Sequence, residues 1–455
     1  MRFPILLAAV LLSGGIDAQE KNSRPASQQA KPKILISDKR VKEVLSFLAS
    51  DELEGRDTPS RGQDKAAEYI AAAFKKAGLK PVMKDGSYFH TYSKPGTVVD
   101  ANAVKLVLHL GDGQEPVKLE PGKDVRVYIA PGRAYEREET DVTVLKEANA
   151  SARMRRSAAR NPVVILVDPQ TSALWKAVAG KRRVLSRRRV SRAPVLLVRK
   201  GAFPAEEIEH ATVEVAASKA VTLELKNVVG RLPGRKHKDE HVMFSAHYDH
   251  LGIGLPVKGD GLYNGADDDA TGTTAVVVLA EAFARAPNVH DRGLLFVCFS
   301  GEEKGMLGSR AFAADPPVAL DSIVVNLNIE MVGRPDQIKG KQAWVTGREF
   351  SDFEEIAQVG FARAGIELTR FRAASMLFQA SDNISLARKG VIAHSISAGS
   401  LHVDYHKPSD HVSKIDLPNM TAVIRGLFEA GLEFATREKR PVYNAQGRRA
   451  LGLDR

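Results

Sequence analysis

The sequence predicts an α/β fold, in which helices sandwich a mixed, mainly parallel sheet and a mostly β module is inserted into the chain. From Leu223 onward, helical stretches alternate with continuous apolar ones, which are HVMFSA, GLLFVCFS, SIVVNLNI and GVIAHSIS. Strands that are apolar on both faces are typical of parallel sheets covered by helices. From about Val98 to Val221, short β-like runs stand instead among charged loops, and helical periodicity resumes only after them.

The first 18 of the 455 residues combine one basic residue, an apolar stretch and a small residue at Ala18, which is the pattern of a cleavable signal peptide. We therefore expect cleavage after Ala18 and a periplasmic or secreted protein. Residues 19–37 are polar and predict a disordered leader. No later run is long enough to cross a membrane, so we expect no transmembrane segment after cleavage.

Residues 38–97 are predicted to open the main domain with two helices. Apolar residues recur on one face of each helix: Val41, Val44, Leu45 and Leu48 in the first, and Ala66, Ile70 and Phe74 in the second. Ser37 or Asp38 is the expected cap of the first helix, and Gly78 is expected to end the second.

The inserted module is predicted over residues 98–221, and the main domain continues over residues 222–437. The helical stretches of this second part are TGTTAVVVLAEAFARAP, FSDFEEIAQVGFARAG and LPNMTAVIRGLFEAGLEFAT. Residues 438–455 are polar and predict a frayed tail.

The chain has a formal net charge of +11, and much of the excess lies in Arg153–Asn161 and Lys181–Arg192. Such stretches can bind nucleic acid or an anionic surface, but no aromatic residues interleave with these and no binding motif accompanies them. We interpret them as a solvated face and expect no nucleic-acid partner. The single cysteine, Cys298, excludes an internal disulfide and is interpreted as a small buried hydrophobic residue.

Residues of metal-binding type follow all four apolar strands. They are His247 and Asp249 after the first, Glu302 and Glu303 after the second, Glu330 after the third and, beyond a loop, His406 after the fourth, with Asp267, Asp268 and Asp269 preceding a helix between the first two. Ligands bind beyond the carboxyl ends of the strands in such sheets, so these side chains are expected to meet. Without cations the carboxylates would repel one another. Carboxylates mixed with imidazole suit zinc, and a shared carboxylate suits two zinc ions.

These stretches resemble the dizinc aminopeptidase family, zinc-dependent exopeptidases related to bacterial leucyl aminopeptidase, which also include glutaminyl cyclases and glutamate carboxypeptidase. The resemblance rests on NVVGRLPG, HVMFSAHYDHLG, NGADDDATG, FSGEEKGMLGS, NLNIEM and DYHKPSD, in the expected order. The opening FLASDELEGRDTPSRGQDKAAEYIAAAFKKAGLKP is similar to the leader helices of exported bacterial members. The resemblance covers residues 38–95 and 223–437. It implies the sandwiched, phosphorylase/hydrolase-like fold of zinc exopeptidases, with a protease-associated β module at 98–221.

The resemblance also implies two zinc ions per chain. The implied ligands are His247 and Glu330 for one ion, Glu303 and His406 for the other, and Asp268 as the bridge, followed by a cis peptide bond. Glu302 would be the general base, which takes a proton from the attacking water and returns it to the leaving amine. Asp249 would accept the second ring proton of His247 and fix its tautomer.

Two positions depart from the family pattern. Glu330 stands where most relatives have aspartate, and the longer side chain is expected to change chelation or weaken that zinc site. The stretch Ser381-Asp382-Asn383 stands where relatives have Ser-Asp-His, which leaves the preferred substrate open. Asp410 is expected to contact the ligands without binding metal itself, and Lys407 is expected to be an ordinary surface residue.

The implied activity is that of an exported dizinc aminopeptidase, which hydrolyses N-terminal residues from peptide substrates. Two alternatives keep the fold, namely a glutaminyl cyclase, which typically works with one zinc ion, and a carboxypeptidase. A third is a non-catalytic peptide-binding protein that uses the inserted module. The sequence leaves the oligomeric state open.

Overall fold

A computed structural model describes residues 35–111, 113–150, 161–186, 192–286 and 288–454. The predicted signal peptide, residues 19–34 of the predicted leader, and residues 153–160 and 187–191 of the two basic stretches lie outside the described residues. Within these ranges, no helix combines the length and the apolar character needed to span a bilayer.

The strands and helices are numbered in chain order. The strands are β1 (Phe89–Asp100), β2 (Val104–Leu110), β3 (Val117–Leu119), β4 (Val125–Ile129), β5 (Tyr135–Thr140), β6 (Thr143–Lys146), β7 (Val163–Val167), β8 (Lys181–Leu185), β9 (Val195–Arg199), β10 (Ile208–Val215), β11 (Lys219–Leu232), β12 (His237–His247), β13 (Gly252–Val257), β14 (Asp260–Tyr263), β15 (Arg292–Phe299), β16 (Ile323–Ile329), β17 (Gln342–Val345), β18 (Glu367–Leu368) and β19 (Ala393–Ser397). The helices are α1 (Asp38–Leu48), α2 (Arg61–Ala77), α3 (Ala173–Ala177), α4 (Gly272–Ala284), α5 (Leu307–Ala314), α6 (Phe353–Arg363), α7 (Ala374–Leu377), α8 (Asn383–Ala387), α9 (Leu417–Thr436) and α10 (Ala445–Leu451).

The centre of the fold is a nine-stranded sheet with the strand order β18-β17-β19-β16-β12-β15-β11-β1-β8. Its four middle strands, β19, β16, β12 and β15, run parallel to one another and are the four apolar stretches predicted from the sequence. On both sides of them the sheet continues with antiparallel pairs, β15 with β11 and β19 with β17. The sheet is therefore mixed, with a parallel centre.

Side chains of β12 and β15 alternate between two hydrophobic cores, one on each face of this sheet. Phe244 and Phe296 stack at 5.4 Å in the first core, which also receives α1, α2, α4, α6 and α9. Met243 and Val297 belong to the second core, together with α5 and α8. Every residue of β15 is buried, which explains why that strand is apolar at almost every position. The predicted α/β fold with helices on both faces of the sheet is confirmed.

The two predicted N-terminal helices form α1 and α2, and both are capped. The Ser37 side chain accepts the main-chain N–H of Arg40 at the start of α1, so Ser37 is the cap. Ser60 accepts the main-chain N–H of Gln63 in the same way for α2. Gly78, with φ at 85°, ends α2 in the left-handed conformation that favours glycine.

The segment between β1 and β11 forms two four-stranded sheets, β3-β2-β10-β5 and β4-β9-β7-β6. β8 also belongs to this segment but pairs with β1, where Val184 faces Thr97, and so becomes an edge of the large sheet. The β13–β14 hairpin of the main domain contributes Leu255 to one of the cores of this segment, beside Trp175. The predicted module is thus attached to the main domain by strand pairing and by apolar packing.

The described part of the second basic stretch makes contacts as well as facing solvent. Arg182 donates hydrogen bonds to the main-chain carbonyls of Val127 and Tyr128, at 3.1 and 2.9 Å. Arg183 is exposed and lies 3.7 Å from a carboxylate oxygen of Asp64 in α2. The interpretation of this stretch as a purely solvated face is therefore wrong for Arg182, because its charge satisfies carbonyl groups at the end of β4.

Candidate metal centre

The predicted ligands lie at the carboxyl edge of the parallel strands. β12 ends at His247, while Glu303 follows β15, Glu330 follows β16 and His406 lies in the loop beyond β19. Asp268 lies in a π-helical turn, residues 266–271, that leads into α4. Because the four strands are neighbours with the same direction, their ends bring these side chains to one place.

Asp268 lies between two pairs of side chains. On one side, His247 Nε2 is 3.3 Å from Asp268 Oδ1 and 3.6 Å from Glu330 Oε2. On the other side, His406 Nε2 is 3.1 Å from Asp268 Oδ2 and 3.2 Å from Glu303 Oε1. All five predicted ligands therefore come together, in the same pairs that the resemblance implies.

The donor atoms of this cluster fit a divalent metal. Asp268 Oδ2 and Glu303 Oε1 are buried, and no hydrogen bond of normal geometry reaches either oxygen within the described residues. Buried carboxylate oxygens without such bonds are costly, and their lone pairs remain available to a cation. Two imidazoles and three carboxylates are also the nitrogen and oxygen ligands that zinc takes in proteins.

The imidazoles keep the carboxylates between them ionised. Burial disfavours the charged form of Asp268, but the imidazoles of His247 and His406 beside its two oxygens outweigh burial and hold the pKa of Asp268 well below its usual range. Burial and the Asp268 charge raise the pKa of Glu303, whereas His250 and His406 lower it. The net effect is a pKa of about 2. Burial lowers the pKa of His406, but Asp268 and Glu303 outweigh it and raise this pKa to about 10. Ionised carboxylates are the form that binds metal.

His250 is a residue of this centre that the sequence did not predict. Its ring is fully buried, and Nδ1 lies 2.9 Å from Glu303 Oε1. Donor atoms of His250, Asp268 and Glu303 lie within 4.8 Å of one another, so His250 lies close enough to these carboxylates to share a metal with them on the His406 side. The sequence does contain an indication of this residue, because His250 belongs to the same His-Tyr-Asp-His stretch as His247. The spacing alone, however, does not show which imidazole faces the carboxylates.

Asp269, to which the resemblance assigns no ligand role, also belongs to the cluster. It forms a group with His247 and Glu330 whose donor atoms also lie within 4.8 Å of one another. Its Oδ1, however, accepts the main-chain N–H groups of Gly272 and Met331, at 3.1 and 3.0 Å. These bonds tie the start of α4 to the residue after Glu330, which indicates a structural role for Asp269.

Asp410 holds the main chain of the bridging position, consistent with its predicted supporting role. Its carboxylate accepts the main-chain N–H of Asp267 at 3.0 Å and that of Asp268 at 3.2 Å. The peptide bond between Asp268 and Asp269 is cis, at the position that the resemblance implies. Lys407 is exposed and donates to the main-chain carbonyl of Val403, as expected of a surface residue.

A buried chain of hydrogen bonds fixes one oxygen of Glu330. The Ser381 hydroxyl donates to Glu330 Oε1. Asn328 donates through its side-chain amide to Ser381 Oγ at 2.9 Å and to Ser395 Oγ at 3.0 Å, and the Ser395 hydroxyl donates to Asn383 Oδ1 at 3.0 Å. Glu330 therefore turns only Oε2 toward His247. Both departures from the family pattern, Glu330 and Asn383, belong to this one chain of hydrogen bonds.

The structure corrects the predicted partner of His247. Its Nδ1 bonds to the main-chain carbonyl of Asp249 at 3.1 Å, whereas the Asp249 carboxylate is 3.8 Å away. The carbonyl fixes the same tautomer, with Nε2 free to bind metal. The carboxylate of Asp249 instead accepts hydrogen bonds from Thr58 and from the main-chain N–H of Glu302, each at 3.1 Å.

The side chain of Glu302 is partly buried beside the cluster. Burial raises the pKa of Glu302 well above its ordinary value; His247 opposes this shift, and the carboxylates of Asp382 and Glu330 add to it. A carboxylate in such surroundings accepts a proton more readily than one in water. This is the property that a general base requires.

The family comparison agrees with this geometry. A family model described as "Peptidase family M28" matches residues 227–430. Residues 227–430, just under half of the chain, are therefore similar to peptidase family M28. A "Probable zinc metalloprotease" of Pyrenophora teres f. teres is 32% identical over 110 residues, which are 24% of this chain and 23% of that protein. A "Vacuolar membrane protease" of Verticillium alfalfae is 34% identical over 86 residues, 19% of this chain and 8% of that protein. The chain thus matches less than a quarter of the length of either relative.

Solved structures that resemble this chain include aminopeptidases. BSAP, a zinc aminopeptidase from Bacillus subtilis, superposes with a TM-score of 0.55 at 17% identity, covering 89% of this chain and 96% of that one. An aminopeptidase from Aneurinibacillus sp. strain AM-1 gives a TM-score of 0.50 at 18% identity, covering 90% and 95%. At these identities the likeness is one of fold. The region that the M28 model matches runs from β11 into α9 and contains all the residues of the candidate centre except those of the N-terminal segment.

Proposed function

We propose that this protein is an exported dizinc aminopeptidase, which removes N-terminal residues from peptides. The observation that carries the proposal is the position of Asp268 between two imidazole–carboxylate pairs, with Glu302 next to one of the proposed ligands. The match to the M28 family model and the names of the structurally similar aminopeptidases support it.

In the proposed site each residue has one task. The zinc ligands are His247 and Glu330 for one ion, Glu303 and His406 for the other, and Asp268 for both. Zinc bound there supplies Lewis-acid activation of water and of the scissile carbonyl. Glu302 takes a proton from the attacking water on its carboxylate and delivers it to the nitrogen of the leaving amine. His247 keeps Nε2 unprotonated for metal because Nδ1 donates to the carbonyl of Asp249.

We expect a peptide with a free α-amine to be cleaved and its N-acetylated form to resist cleavage. The measurement is hydrolysis of a panel of aminoacyl-anilides and of matched peptides with and without the N-acetyl group, using zinc-replete protein. Equal cleavage of both forms would point to carboxypeptidase or endopeptidase action. Release of ammonia from a peptide with N-terminal glutamine, without release of an amino acid, would indicate a glutaminyl cyclase. The peptide-binding alternative predicts binding and no turnover.

We expect the exported protein to begin near Gln19, because residues 1–18 have the pattern of a signal peptide. Intact-mass analysis of protein recovered from the periplasm or the medium tests this expectation. Recovery of only the full-length chain, in the cytosol, would contradict export.

A further inference from the structure

The carboxylate of Asp249 is fully buried, and the donors that bind it come from two distant parts of the chain. Oδ1 accepts the main-chain N–H of Glu302, and Oδ2 accepts the hydroxyl of Thr58, each at 3.1 Å. Thr58 Oγ1 in turn accepts the side-chain amide of Gln63, in the first turn of α2. Thr58 and Gln63 are only 2% and 4% exposed. A buried line of hydrogen bonds therefore runs from α2 to the main chain of the proposed general base.

The segment that precedes α2 is also fixed against the loops of the centre by other contacts. The buried guanidinium of Arg56 donates to the main-chain carbonyl of Tyr248 at 2.8 Å. Asp57 forms a single β-bridge with His250, and its carboxylate lies 2.6 Å from Lys304 Nζ. The segment is thus bound to the loop after β12 and to the loop after β15, so its position is coupled to both.

We propose that Thr58 is a positioning residue for the general base. Through the carboxylate of Asp249 it holds the main chain of Glu302, and with it the Glu302 carboxylate, in place at the metal centre. The carboxylate of Asp249 then acts on the base, since the Nδ1 of His247 already has a main-chain acceptor. This inference rests on the proposed function, and it makes a segment outside the matched M28 region part of the catalytic apparatus.

Both oxygens of the Asp249 carboxylate take part in holding the main chain of Glu302. A carboxylate that accepts one fixed donor on each oxygen cannot rotate without losing a bond. Without the Thr58 hydroxyl, Oδ2 is buried and unpaired, which favours rotation toward another donor. The ring Nδ1 of His247 lies 3.8 Å from Oδ1 and can share its N–H between the main-chain carbonyl and the carboxylate of Asp249. Rotation toward it weakens the bond to Glu302, and a misplacement of about 1 Å costs up to ~10²-fold in rate.

The test compares Thr58→Val, which removes the hydroxyl at nearly constant volume, with Thr58→Ser, which keeps it. Thr421→Val is the matched control, because Thr421 is fully buried and its hydroxyl donates to Leu417 within α9, away from the centre. For each variant, kcat and KM on an aminoacyl-anilide, zinc content, and hydrogen exchange of the peptide containing the Glu302 amide are measured. We expect Thr58→Val to lower kcat roughly tenfold with KM and zinc content unchanged, and to speed exchange at Glu302. Thr58→Ser should restore kcat, and Thr421→Val should change neither kcat nor the exchange.

Unchanged kcat and unchanged exchange in Thr58→Val would overturn the inference, as would an equal loss of kcat in Thr421→Val. If Thr58→Val does not fold, Gln63→Leu carries the test, since it removes only the donor that orients the Thr58 hydroxyl. A kcat and an exchange rate equal to the wild type in that variant would then overturn the inference. Activity that survives Glu302→Gln would instead defeat the proposed function, so the two failures are distinguishable.

Discussion

Replacing Glu302 with glutamine is expected to lower kcat by about 10²–10⁴-fold, the effect of losing a general base. Glutamine keeps the size of the side chain and its capacity for hydrogen bonds but cannot take the proton. The main-chain N–H of Glu302, which binds Asp249, is unaffected by the change. Zinc content by elemental analysis and thermal unfolding should therefore match the wild type while turnover in an anilide assay is lost.

The adjacent variant Glu303→Gln is the control, because Glu303 is proposed as a ligand. Its Oε1 lies 3.2 Å from His406 Nε2 and 2.9 Å from His250 Nδ1. The loss of its charge should lower zinc occupancy, and added zinc should restore part of the activity. Ordinary surface carboxylates would give two mild and similar variants. Near-normal turnover of Glu302→Gln at full zinc occupancy would show that the catalytic assignment is wrong.

Two zinc ions per chain are expected, and Asp268→Asn is expected to reduce the binding of both. Each oxygen of Asp268 approaches a different imidazole, that of His247 or that of His406, so one substitution weakens both sites. Activity should fall by at least ~10²-fold, the lower limit of the loss expected for Glu302→Gln, because without zinc the Lewis-acid activation is also lost. Elemental analysis after mild dialysis is the measurement. Asp260→Asn, at an exposed position of the β13–β14 hairpin, is the matched control and should bind zinc normally.

The zinc on the Glu330 side is expected to dissociate first, since Ser381 holds one oxygen of Glu330 and leaves Oε2 for the metal. An occupancy between one and two after dialysis agrees with this arrangement. A stable occupancy of one with full activity would contradict it and favour the single-zinc cyclase.

The parts of the fold that local pattern determines were predictable. Four apolar stretches became the parallel centre of the sheet, since strands buried on both faces need apolar residues on both. The apolar periodicity and the end of α2 at Gly78 were equally visible. The antiparallel outer strands were not, and neither was the pairing of β8 with β1. Those pairings join residues far apart in the chain, and the alternation of side chains within one strand does not specify its neighbour.

The candidate site divides in the same way. The residue types at the strand ends and the rule for ligands at the carboxyl edge were enough to bring the five proposed ligands together. The direction in which individual side chains of the site point was not predictable. The main-chain carbonyl of Asp249 faces His247, and its carboxylate faces Thr58, almost two hundred residues away in the chain. Whether His250 faces Glu303 or solvent depends likewise on how its loop packs against the segment before α2.

The pairing of β1 with β11 creates a junction at which the segment between them could be inserted or removed. Val98 faces Lys219 and Thr97 faces Ala220, so the polypeptide leaves the large sheet and returns to it at adjacent points. Antiparallel neighbours lie about 5 Å apart, a gap that a two-residue turn closes. A gene segment can therefore be gained, exchanged or deleted at this junction without changing the order of the strands that carry the proposed ligands. After a deletion, the edge of β1 now covered by β8 and the side chain of Leu255, now packed in a core of the segment, would need new partners.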